Sequence, residues 1–260
     1  MKRLKLTIEY DGSRLNGWQI QAVDLSVQQV LQDAFAVVLA GQAVEVVGAG
    51  RTDSGVHALG QVAHVDLPPS FALNPPPNLY RLRASLNHFV HPHGVSVHDI
   101  EPVPDDFHAR FSAIRRRYCY RLHTHPALSP LHRHRVWHFG RPLDVPAMQQ
   151  AAQFLLGQHD YSSFRDARCQ AKTPIRSLDQ VLVTAVENDY WGEVQVQVAA
   201  RSFLHHQVRI MVGTLVKVGL HHQPPEWVST VLAARNRHQA GATAPPEGLY
   251  LVGVDYPPES

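Results

Sequence analysis

The sequence predicts an α+β protein of two halves with mostly antiparallel sheets, and three observations predict it. Strand and helix periodicities mix within each half, the connections are of hairpin length, and no βαβ unit repeats. The chain has 260 residues, enough for one large or two smaller domains, and is 44% hydrophobic and 18% charged. The expected halves are 1–125 and 126–260, sharing a cleft.

The first half opens with a strand at Lys5–Glu9 that ends at the turn Asp11-Gly12. Ser26 is placed to cap a helix in which Val27, Val30, Leu31, Ala34, Phe35 and Val38 recur at helical spacing. Val44–Val47 is a short apolar strand running into a glycine-rich loop, and Gln61–Leu67 returns as a strand. The run Pro75-Pro76-Pro77 introduces a helix over Asn78–Val90, followed by strands at Val95–Ile100 and Arg117–His123.

The second half begins with a helix over Asp144–Leu156, stopped at Gly157. Strands at Ile175–Glu187 and Val194–Ala199 flank a turn at Asn188-Asp189. Phe203–Leu220 reads as a long helix, Pro225–Arg235 as a shorter one, and Leu249–Asp255 as a last strand. The Phe203–Leu220 helix is apolar for longer than one amphipathic face requires, as a buried central helix or a subunit interface would be.

The N-terminus carries basic residues with no apolar run behind them, and no stretch of roughly 20 apolar residues occurs. The expectation is a soluble, cytoplasmic protein. Cys119 and Cys169 form no C-x-x-C pair and read as reduced thiols packed as small hydrophobes.

The net charge of +2 is small, but the charge is segregated. Between Phe107 and Arg141 stand eight arginines, Arg110, Arg115, Arg116, Arg117, Arg121, Arg133, Arg135 and Arg141, with no Asp or Glu. His123, His125, His132, His134 and His138 interleave with them, and Arg165, Arg168, Lys172 and Arg176 follow against Asp166. Guanidinium groups fork onto phosphate oxygens, so this pattern suits a phosphate-rich partner; a solvated face balanced by acids elsewhere in the fold is the alternative.

Chemistry is concentrated in Gly48–Gly60, GAGRTDSGVHALG. Gly48, Gly50 and Gly55 imply a tightly shaped loop that can hold Asp53 in a fixed pose with Arg51 two residues away. A carboxylate so held can be a nucleophile, a general base or a metal ligand, or can stabilise its own turn. The loop has no Gly-Lys-Ser/Thr ending and is no P-loop. The many histidines form no H-E-x-x-H or Cys/His pattern, so no metal is expected.

Gly48–His57 resembles the signature loop GAGRTDxGVHA of the TruA family of tRNA pseudouridine synthases. Tyr10–Trp18 with Gln19 is similar to the family's YDGxxxxGWQ, and Val103–Phe111 with Arg117–Tyr120 to PDDFHARFSA…YxY. Tyr161–Phe164, Phe203–Gly213 and Thr243–Tyr250 resemble later family blocks in order. Leu15, Ser54 and Ile210 depart from the residues common there, and none of these removes a proposed catalytic group.

The resemblance implies two ferredoxin-like, RNP-like halves flanking a central catalytic cleft. It implies isomerisation of uridine to pseudouridine in the anticodon stem-loop of tRNA, at positions 38 to 40, with no cofactor. The catalytic set it implies is Asp53 as nucleophile, Tyr118 stacking on the target base, and Arg209 pairing the aspartate. Arg51 would help hold the base out of the helical stack, and Arg116, Arg117 and His57 would complete the substrate contacts. A homodimer is also implied. A non-catalytic RNA-binding module is the alternative function, since it would use the basic strip without a charged Asp53; a metal-dependent hydrolase built on the histidines is a third.

Overall fold

A computed structural model describes residues 2–69 and 78–258. The proline run Pro75-Pro76-Pro77 lies outside the described residues. In chain order the elements are β1 (Lys2–Tyr10), α1 (Val27–Val38), β2 (Val46–Gly48), β3 (His57–Leu67), α2 (Leu79–Val90) and β4 (Val95–Pro102). Then come β5 (Arg115–His123), β6 (Trp137–His138), α3 (Val145–Gln153), β7 (Gly157–Asp160) and β8 (Ile175–Ala185). The last are β9 (Glu193–Ala200), α4 (Gln207–Gly219), α5 (Trp227–Ala234) and β10 (Leu249–Asp255).

The chain forms two compact units. The first runs to Ile114 and takes the chain in again from Leu251; the second is Arg115–Tyr250. Against an expected division after residue 125, β5 keeps company with the second unit because it pairs with β9 from Arg116↔Ala200 to His123↔Glu193.

The first unit's sheet has the order β4-β1-β3-β10, with β2 also on β3. β1 lies antiparallel to β3 (Leu4↔Val65) and to β4 (Leu6↔Ile100), so strict alternation buries Leu4, Leu6, Ile8 and Tyr10 on one face. Helices α1 and α2 pack on each other, and α2 packs on β4. Ser26 caps α1 by accepting from the Gln29 amide at 3.2 Å, and Asn78 caps α2 by accepting from Arg81 at 3.1 Å. Nearly every residue of β3 is buried, because its other face is covered too. There Ala49, Val62 and Ala109 pack with Phe107, Val254 and Tyr256.

In the second unit β5, β9, β8 and β7 follow one another, all antiparallel, with the short β6 parallel to β5. Helix α3, capped by Asp144, packs on β8 and on α4. All of α4 is buried except Arg209 and Lys217, which identifies it as a central helix. Its backbone is crossed at contact distance: a Cβ on Gly213 would lie 1.9 Å from the Ala242 carbonyl oxygen. The fold is thus α+β with antiparallel sheets, as the sequence predicts. Both cysteines are free thiols.

Candidate active site

Asp53 stands in the turn joining β2 to β3, and the residues on either side of it are fastened individually. The Tyr10 hydroxyl, at the end of β1, lies 2.8 Å from the Thr52 hydroxyl. The Gln61 amide donates to the Gly50 carbonyl at 2.9 Å, and the Trp18 backbone amide donates to the Thr52 carbonyl at 3.1 Å. The Val56 amide closes the turn onto the Asp53 carbonyl at 3.1 Å. Tyr10, Trp18, Thr52 and Gln61 are all buried, so these bonds form where water does not compete. Burial also pushes the Tyr10 phenol up to about 12, which keeps it a neutral hydroxyl.

The strip 11–18 beneath the loop explains its glycines. Gly17 takes a left-handed φ of 72°, and a Cβ there would meet the Thr52 carbonyl oxygen at 2.4 Å. Its own carbonyl and that of Trp18 accept the first amides of α1, Val27 at 3.1 Å and Gln28 at 3.0 Å. Two donors that a helix start would otherwise leave open are thereby used to anchor the strip under the loop. The Trp18 indole fills the space where a side chain at Gly48 would stand.

His57 is 2% exposed, and its Nδ1 accepts from the Gly12 amide at 3.0 Å. That contact ties the strip to the first residue of β3. Asp53 is half-buried and Arg51 exposed at the outer surface of the same turn.

The remaining predicted residues belong to the second unit. Tyr118, half-buried on β5, meets the Phe203 ring edge-to-face at 5.2 Å between centroids. Arg116 is 8% exposed and donates to the Arg201 carbonyl at 2.6 Å, so it braces the ends of β5 and β9; Arg117 next to it is exposed. On α4, Arg209 Nε donates to the Ala244 carbonyl at 2.8 Å, and the Ala244 amide returns a bond to the Arg209 carbonyl at 3.1 Å. The segment that receives Arg209 is itself held by Arg237, which reaches the Gly241 carbonyl and the Thr243 hydroxyl.

The start of α4 carries a polar cluster that spacing alone did not reveal. His206, at the N-cap, has a φ of 60°, and its Nδ1 lies 2.8 Å from Asp166 Oδ2. His205 Nδ1 is 3.6 Å from the other oxygen of the same carboxylate. Burial opposes the Asp166 charge, yet the Arg168 amide and side chain and the His206 ring hold it down to about 2.

A family model and full-length relatives point to one family. Its model, described as tRNA pseudouridine synthase, matches residues 6–112 and 151–257. The chain belongs to the tRNA pseudouridine synthase family. Proteins named tRNA pseudouridine synthase A resemble it along their whole length. That of Afipia carboxidovorans is 51% identical over 98% of this chain and 100% of its own. That of Maricaulis maris is 49% identical over 99% of both chains. As a family member the chain is an isomerase that converts uridine to pseudouridine in tRNA. Among the described residues no helix is long and apolar enough to cross a membrane.

What sequence reasoning missed in the site are the fastenings: Tyr10, Trp18, Thr52 and Gln61 around Asp53, Phe203 against Tyr118, and Asp166 beneath His206. A signal for the first group was in view, since the YDGxxxxGW motif contains Tyr10, Gly17 and Trp18, but its partner surface is distant in sequence.

Proposed function

We propose that Asp53 is the nucleophile of this synthase, acting on uridines at positions 38 to 40 of the tRNA anticodon stem-loop. The observation that supports it is the clamped turn: a half-buried carboxylate on a loop whose neighbouring carbonyls and hydroxyl are each bound by a separate buried group. Such pre-organisation suits a group that must meet a carbon atom at a set distance and angle. A turn needed only to connect two strands requires no such support.

The reaction breaks the N1–C1′ bond, turns the uracil and joins C5 to C1′. No atom is gained or lost, so the chemistry asks for a nucleophile, a cation to favour its ionised form, and a group to manage the C5 proton. The resemblance of Phe203–Gly213 gives Arg209 the cationic part, and that of Arg117–Tyr120 gives Tyr118 the place beside the base. Arg51 and Arg117, both exposed, serve phosphate contact; Arg116 and His57 serve by bracing. A homodimer in the cytoplasm completes the proposal, on the resemblance alone.

The test is pseudouridine formation in unmodified tRNA with no added metal or nucleotide, native protein against Asp53→Asn. Product from the native protein only, mapping to positions 38 to 40, supports the assignment. Product from both displaces Asp53 from its part. Binding without product from the native protein favours a non-catalytic RNA-binding module.

A further inference from the structure

We propose that Phe111 and Arg110 form a platform on which an unpaired base of the substrate RNA, other than the reacting uridine, stacks. This rests on tRNA being the substrate.

Phe111 is 71% exposed on a turn whose backbone is tightly held. The turn over residues 108–112 is pinned from several directions. His108 Nδ1 accepts the Arg110 and Phe111 amides at 3.1 and 3.3 Å, and the Ser112 hydroxyl accepts the His108 amide at 2.9 Å. Ala109 is fully buried, its amide bound to His64 Nδ1 at 3.1 Å and its carbonyl to the Tyr256 hydroxyl at 2.7 Å. Upstream, Arg3 grips the Asp105 and Phe107 carbonyls at 2.7 and 2.8 Å while forking onto Asp66.

The side chains on this turn set two rings, tilted by 40° to each other, beside a guanidinium. The His108 ring lies 4.4 Å from the Phe111 ring, and the Arg110 guanidinium stands 5.6 Å from the Phe111 centroid. An aromatic face flanked by a guanidinium is the combination that single-stranded nucleic acid uses, base on ring and phosphate on cation. Because the backbone that carries the ring is already held, little main-chain freedom remains to be lost on binding.

Charge decides between occupants. Arg110 sets a fixed positive charge beside this ring, which a phosphate-bearing strand complements. From Phe107 to Arg141 the sequence holds no acid, which favours a polyanion over a second copy of this chain.

The experiment compares the full-length native protein with Phe111→Ala, Phe111→Leu and Phe111→Tyr. Affinity for unmodified tRNA is read by anisotropy, and KM and kcat by pseudouridine formation. Alanine and leucine should each weaken affinity and raise KM about tenfold, with a much smaller change in kcat, and tyrosine should restore both. Leucine behaving as the native residue, or alanine leaving affinity unchanged, overturns the platform. So does a native dimer that Phe111→Ala splits in sedimentation, since a second copy would then cover the ring. Failure of the native protein to form pseudouridine would instead sink the proposed function, and the affinity series would still decide the platform.

Discussion

The Tyr10 hydroxyl meets the Thr52 hydroxyl at 2.8 Å, one residue before Asp53, across 42 positions of sequence. Gln61 approaches the same phenol at 3.5 Å and holds the Gly50 carbonyl. Removing the phenol oxygen therefore loosens the turn from inside. Tyr10→Phe should cost about 1–3 kcal/mol of stability, the usual effect of leaving a buried partner unmatched. It should lower kcat by more than tenfold, since a displacement of about 1 Å at a catalytic group can cost a factor of about 100. Thr52→Val should act the same way, and the double variant should lose less than the two losses summed. Thermal unfolding and pseudouridine formation measure the two parts. Full kcat in a destabilised Tyr10→Phe would show that the clamp serves the fold and not Asp53.

How much of this was legible follows from which contacts are local. The caps at Ser26, Asn78 and Asp144 lie within three residues of the amides they bind; Ser26 is read as a cap from the sequence, and the other two stand at the predicted helix starts. The strand Gly157–Asp160 was missed because Gly157 marks a helix end and GQHD has no apolar alternation. Its strand character comes from pairing with Arg176 and Ser177 on β8. Helix α4 starts at Gln207 and not at Phe203, because His206 takes a left-handed conformation and the Gln207 side chain accepts the Leu204 amide. Asp53 was identifiable from its motif; the partners that hold its turn were not, since Tyr10, Trp18 and Gln61 come from other elements.

At His206 backbone and side chain ask for different things. Its φ of 60° costs an ordinary residue about 1–2 kcal/mol, and Asp166 helps offset it through the ring nitrogen. Asparagine tolerates this conformation, whereas valine does not. His206→Asn should stay within about 1 kcal/mol of the native protein, while His206→Val should lose about 2–3 kcal/mol and disturb the start of α4. Denaturant unfolding of the two variants decides this; equal losses would assign the effect to the Asp166 contact alone.

At Gly213 the constraint is space and not torsion. A Cβ on Gly213 would stand 1.9 Å from the Ala242 carbonyl oxygen, and a Cβ on Gly241 would in turn stand 2.4 Å from the Gly213 carbonyl oxygen. Both obstacles are backbone, so neither can rotate away. Gly213→Ala should cost about 1–3 kcal/mol by pushing residues 241–244 off α4. The Ala244 bonds to Arg209 lie in that segment, so kcat should fall as well. A melting temperature within a degree of native would show that the two backbones part without strain.

The acid side of the stability profile should be set first by His64. It is 5% exposed, and burial, then the Arg3 and His108 charges, lower it from 6.5 to about 4, with Asp66 opposing. The folded protein therefore holds it neutral while the unfolded chain binds a proton below pH 6.5. Where the unfolded state binds more protons, stability rises with pH, so this contribution is complete above 6.5 and is lost as pH falls toward 4. At roughly 1.4 kcal/mol for each pH unit across that gap, the loss is at most about 3.5 kcal/mol. Asp166 acts in a lower window: its contribution persists until pH falls below 3.8 toward about 2. Urea unfolding between pH 7 and pH 4 should thus show a falling midpoint, and His64→Gln should flatten that fall. The glutamine can still accept the Ala109 amide, so a slope that survives the substitution would assign the acid sensitivity to another group.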